Sequence, residues 1–200
     1  MRILLIALTA LLGWSALPSS ASAEAAGAAP SKIGFLDPAK PACFARSYSA
    51  EHLTAHPRQK VADIAFVYRP TIILDGAEQA NWSEDGSVRS LNAFVAVRLR
   101  GEESPVRLAV GGCVPAKGQT VECGVDEDGG IFALGTAKNG YLLKILSDVF
   151  VAPTTGHYEA DAKLGVSIRK ADDQEAFLLK PARGGLCETQ LVPPDPSEWN

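Results

Sequence analysis

The chain has 200 residues, 46% of them hydrophobic and 21% charged, and its 19 Lys and Arg against 23 Asp and Glu leave a formal charge of −4. That length suits one domain, able to bury about two thirds of its unfolded surface. Mild acidity with no cluster of Lys and Arg argues against a nucleic-acid partner, duplex or single-stranded.

The N-terminus reads "MRILLIALTALLGWSALPSSASAEAAG": one Arg, an apolar run from Ile3 to Leu17, then small residues. The run is about 15 residues against the roughly 20 of a membrane span. Ala21-Ser22-Ala23 supplies the small-x-small pattern of a signal peptidase site. Residues 1–23 are therefore expected to be a cleaved secretory signal, cut after Ala23, and 24–31 a flexible leader. A single β domain over 32–191 and a proline-rich tail over 192–200 follow. The expected location is the periplasm or the extracellular space, with no stable membrane insertion once the signal is removed.

In "ACFARSYSAEHLTAH" Ser49 can cap a short helix that Pro57 ends at His56. Beyond it, period-two patterning dominates. "VADIAFVYRP" alternates Ile64, Phe66 and Tyr68 against Ala65 and Val67. "TIILDGAEQ", "LNAFVAVRLR", "VRLAVGGC", "QTVECGV", "IFALG", "YLLKILSDVFVAP", "LGVSIRK" and "EAFLLKP" follow as further strands. Gly, Asp, Asn and Pro clusters separate them. About eight or nine short strands, with no helix long enough for a parallel crossover, predict an all-β fold, an antiparallel β-sandwich or a closed β-barrel. One short N-terminal helix and a disulfide framework complete it.

Four cysteines in an exported chain pair by default. Cys113 and Cys123 flank "VPAKGQTVE", a turn between two strands, so they are expected to bridge locally. Cys43 with Cys187 then fastens the start of the domain to its end, a link worth about 4 kcal/mol in the chain-entropy model. A reactive thiol or thiolate metal site would want a C-x-x-C spacing that the sequence lacks.

Candidate chemistry is sparse. His52 and His56 share a helix face, the geometry of paired metal ligands, but without H-E-x-x-H, and His157 is far away in sequence. "CGVDEDGGIF" offers Asp126 and Asp128 as weak cation ligands, too few for a calcium loop, so a hairpin turn is the stronger reading. Arg98 and Arg100 lie on one strand face. A four-residue loop from Gly101 to Ser104 would bring Arg107 beside them as an anion-binding patch; one residue more would turn Arg107 to the other face. The bland reading is a solvated face with Glu102 and Glu103 nearby. Trp82 lies in a polar turn within a sequon, Asn81-Trp82-Ser83, and Trp199 stands next to the C-terminus. No G-x-S-x-G and no opposed carboxylates mark a catalytic site, and no cofactor is implied.

"HLTAHPRQKV" (His52–Val61) together with "CGVDEDGG" (Cys123–Gly130) resembles stretches of uncharacterised bacterial secreted proteins. The resemblance implies an exported protein and carries no activity, ligand or catalytic residue. The expected function is a non-catalytic binding module for a small molecule, glycan or protein. The alternatives are an envelope interaction or inhibitor protein, and a hydrolase with an unrecognised site.

Overall fold

Ile64, Phe66 and Tyr68 on one face, and Ala65 and Val67 on the other, make strand β2 (Val61–Tyr68), of which all five of these residues are buried. A strand buried on both faces needs cover on both, and the architecture supplies it. The computed structural model describes residues 32–74, 77–85, 88–101, 106–125, 128–153, 158–172 and 174–189. The expected signal peptide 1–23, leader 24–31 and tail 192–200 lie outside the described residues, as do Glu102, Glu103, Asp126, His157 and Trp199.

Eight antiparallel strands close into a barrel. In ring order they are β7 (Arg107–Ala116), β8 (Thr120–Val125), β9 (Ile131–Ala137), β10 (Gly140–Ile145), β13 (Ala176–Pro181), β1 (Ala42–Ser47), β2 and β6 (Val88–Leu99). β6 pairs back onto β7, Val95 opposite Ala109, and closes the ring. Of the sandwich and the barrel, closure decides for the barrel.

The remaining elements are excursions from this ring. β3 (Thr71–Leu74) and β4 (Ala77–Ala80) form a separate hairpin after β2. The chain returns as β5 (Trp82–Asp85), which pairs with the start of β6, Trp82 opposite Leu91. At the opposite end, β11 (Val149–Pro153) extends the edge of β7, and β12 (Val166–Ile168) pairs with β11. Helix α1 (Ala50–Ala55) joins β1 to β2, and α2 (Tyr158–Lys163) joins β11 to β12.

An eight-stranded ring is just wide enough for side chains to fill. Here Phe66, Phe132, Phe177, Leu134 and Leu143 fill it, each with at most 1% of its surface exposed. Each buried side chain of this kind contributes about 1.5–3 kcal/mol relative to exposure. A second apolar cluster sits outside the wall: Ala65, Val67, Phe94, Ala96 and Leu108, beneath Leu186 of the 3-10 turn Gly185–Glu188. This outer cover explains why β2 reads as a continuous apolar run while β7 alternates buried and exposed.

The elements differ from expectation at several points. The short helix lies where the Ser49 cap and Pro57 place it, at Ala50–Ala55, with the Ser49 hydroxyl accepting from His52 N at 3.2 Å, but "ACFARS" before it is a strand, β1, that was not expected. The stretch around Trp82, expected as a turn, is β5, because it finds a free edge on β6. "YLLKILSDVFVAP" is two strands. Ser147 Oγ accepts from Ile131 N at 2.7 Å and Asp148 Oδ1 from Lys170 N at 3.3 Å, so the chain bends there rather than continuing. Helix α2 was not expected at all.

Candidate functional site

The mouths of the barrel are closed. At the end where β1 begins, Ile33–Leu36 folds into a tight turn in which each of those two residues donates its N–H to the other's carbonyl, both at 3.0 Å. Gly34 takes φ +60, and a Cβ there would stand 2.9 Å from Thr120 O. Ile33 and Leu36 are buried in the barrel core, and the Phe35 ring meets Tyr141 at 4.9 Å and Phe44 at 5.7 Å. Tyr68 holds this plug by donating its hydroxyl to Pro38 O at 2.7 Å. Burial, with the Asp37 carboxylate adding to it, pushes the Tyr68 phenol up to about 12.

At the other end α1 buries Leu53, and Arg100 Nη1 donates to Leu53 O at 2.9 Å. Gln174, fully buried, accepts Lys60 N and Val61 N on one oxygen, both at 3.1 Å. Val149, Val151 and Ile168 of the β11–β12 excursion join the same core. The interior thus belongs to the chain's own side chains.

The structure places the sequence candidates as follows. His52 and His56 stack ring on ring, centroids 4.3 Å apart, and His52 stacks on Tyr48 at 4.6 Å. His52 Nε2 meets Gln59 Oε1 at 3.1 Å, so the pair is engaged in packing and hydrogen bonding. Asp128 is exposed in the turn before β9, and its partner Asp126 lies outside the described residues. Among the described residues no group of three His, Cys, Asp or Glu could hold a metal ion.

The three-arginine patch is corrected by the register. Val97, not Arg98, stands opposite Arg107. Since alternate residues face opposite ways, Arg107 points to the other side of the wall from Arg98 and Arg100. It is buried and donates to Leu164 O at 3.3 Å. Arg98 instead pairs with Asp63 at 2.7 Å. The sequon is structural as well: Asn81 is 3% exposed, and its amide donates to Arg69 O at 2.8 Å and Asn92 O at 2.7 Å.

No protein-family model matches the chain, and neither a curated protein nor a solved structure matches it. The disulfides join Cys43 to Cys187 and Cys113 to Cys123. The second bridge lies inside the barrel, both residues without exposed surface, and it sets the wall around it. With Cys113 opposite Cys123, Gly112 stands opposite Gly124 and faces outward. A Cβ on Gly124 would meet nothing within 4 Å, and one on Gly112 only Asn92 Oδ1 at 3.9 Å.

This makes a bare strip of backbone on the outer wall. Val110 and Val114 flank it on β7, and Ile131 sits beside Gly124 on β9, with Leu146 next to Ile131. These four side chains are 39% to 42% exposed. Sequence reasoning missed this face, although a signal existed. The mirrored "GGC" and "CGV" around the bridged cysteines place the two glycines side by side once Cys113 is paired with Cys123.

Proposed function

We propose that the chain is an exported, non-catalytic interaction module that docks a protein partner on the outer face of β7, β8 and β9. The observation that carries this reading is the contrast between a filled, doubly plugged interior and apolar side chains left uncovered around Gly112 and Gly124. Binding energy at protein interfaces concentrates where a large side chain fills a desolvated recess. A strip without Cβ atoms, rimmed by Val110, Val114 and Ile131, suits an aliphatic or aromatic side chain of a partner. Strands β7, β8 and β9 are each paired on both sides, so docking is onto the face and not by adding a strand. Export is supported by two disulfides, which persist in oxidising compartments. Among the described residues no helix is long and apolar enough to cross a membrane.

The test is cross-linking in the native host, comparing wild type with Val110→Asp/Val114→Asp. Both side chains point outward, so the variant folds, as circular dichroism would report. Recovery of a partner by the wild type and its loss in the variant supports the reading. A wild type that yields no protein partner, or carries a small molecule in native mass spectrometry instead, defeats it.

A further inference from the structure

The two disulfides differ in what they hold and in who can reach them. Cys113 and Cys123 have no exposed surface and face the filled interior, whereas Cys43 and Cys187 are both partly exposed on the outside of the wall. Thiol–disulfide exchange needs a thiolate to approach one sulfur along the bond, so access controls its rate. The residues of the outer bridge present surface in the native fold, and those of the inner bridge present none.

What the outer bridge fastens is a cover. Residues 182–189 leave β13, turn through Gly184 at φ +74 and Gly185 at φ +56, and lay Leu186 over Val67, Phe94, Ala96 and Leu108. Two consecutive left-handed glycines form a hinge that other residues could not adopt cheaply. Besides the bridge, the cover is held by the burial of Leu186 and by Arg69 Nη2, which donates to Cys187 O at 3.2 Å and Thr189 O at 2.9 Å. Ala182 N continues the β13–β1 pairing by donating to Cys43 O at 3.0 Å, and past the two glycines the backbone N–H groups of Cys187 and Thr189 donate within the strap itself, to Gly184 O and Leu186 O.

We infer that Cys43–Cys187 is a releasable clasp: a dithiol reductant opens it selectively, and the strap 185–189 then swings away on its glycine hinge to uncover an apolar patch on an intact barrel. The reductant's thiolate attacks one sulfur of the bridge, the Sγ–Sγ bond breaks, and the other cysteine leaves as a thiolate that takes up a proton. The reductant's second thiolate resolves the mixed disulfide. Two electrons pass to the protein, which ends with two thiols, and the reductant ends as a disulfide. Phe94 stands opposite Val110 on the neighbouring strand, so the uncovered patch adjoins the face already exposed there. The release itself needs no partner and stands or falls apart from the docking reading.

The experiment treats the full oxidised protein with dithiothreitol in native buffer, then alkylates and maps the cysteines by mass spectrometry. Cys43 and Cys187 are expected to label at least about tenfold faster than Cys113 and Cys123, following access. Hydrogen exchange should then rise across 185–189 while the β8 and β9 amides stay protected, and an apolar dye should gain fluorescence. Cys43→Ser/Cys187→Ser should show the same exchange pattern without reductant. Equal labelling of all four cysteines overturns the inference. So does a strap that stays protected after selective reduction, or a barrel that unfolds with it.

Discussion

Replacing Tyr68 by Phe tests the plug at the barrel mouth and the physical state of its one phenolic tie. Tyr68 is 1% exposed and donates at 2.7 Å to Pro38 O. At neutral pH, Tyr68→Phe loses that bond and leaves the carbonyl without its donor, a cost of about 1–1.5 kcal/mol. Alkali reverses the order. Tyr68 titrates near 10 in the unfolded chain and is pushed up to about 12 in the fold, chiefly by burial. Below pH 10 the phenol is neutral in both states and its contribution is complete. Between 10 and 12 the unfolded chain releases the proton and the folded one keeps it, so stability falls as pH rises. Two pH units at 1.36 kcal/mol each give a loss of about 2.7 kcal/mol, complete above pH 12. The phenylalanine variant lacks this loss. Urea unfolding of both proteins from pH 8 to 12 should show the wild type more stable at pH 8, the two equal near about pH 11, and the variant more stable at pH 12. Other titrating groups cancel in the difference. A difference that stays constant from pH 8 to 12 would refute the argument, because it would mean that the folded phenol ionises like a free one.

Two further substitutions follow from the same geometry. Gly130 sits at φ +96 with room for no Cβ, which would stand 2.0 Å from Asp148 O, whereas Gly124 is open outward. Gly130→Ala should therefore cost about 3 kcal/mol or more in denaturant unfolding, while Gly124→Ala stays within about 0.5 kcal/mol; equal effects would contradict the placement. Asn81→Ala should cost about 2–3 kcal/mol, since Arg69 O and Asn92 O both lose a donor. Intact-mass measurement after treatment of the folded protein with an oligosaccharyltransferase should find Asn81 unmodified.

Strand existence was legible from alternation because the barrel wall is mostly solvated on one face, which leaves a period-two record in segments such as β7 and β8. The Ser49 cap was legible because it is a local bond. The cysteine pairing followed from the turn between Cys113 and Cys123, which forces a direct cross-strand pair. What the sequence could not carry is anything set by register between distant strands. Whether Arg107 joined Arg98 depended on one residue of loop length, and the answer reversed its face. The closure of β6 on β7, the second use of the β6 edge by β5, and the outer cover over Val67 all arise from long-range pairing. The same holds for the bare strip at Gly112 and Gly124, where each glycine alone looks like a weak spot in a strand and only the pair makes a surface. Val125 and Ile131 were legible as the ends of consecutive strands, and β8 and β9 do pair antiparallel there, with Gly124 opposite Ile131; that Gly130 passes against the backbone of Asp148 was not legible, because that contact is long-range.

The position of the Cys113–Cys123 bridge sets a time order for making this protein. Cys113 and Cys123 end with no exposed surface, so an oxidant has no route to their sulfurs once the ring of strands is sealed. The two thiols are only 10 residues apart and meet readily in an unstructured chain, while Cys43 and Cys187, 144 apart, meet only when β1 and the end of the domain come together. Oxidation of the short loop must precede closure, and the long one can wait until afterwards. A chain that folds before it meets an oxidant would seal in two thiols and complete only its outer bridge. Such a product has the right shape and a mass two hydrogens too high.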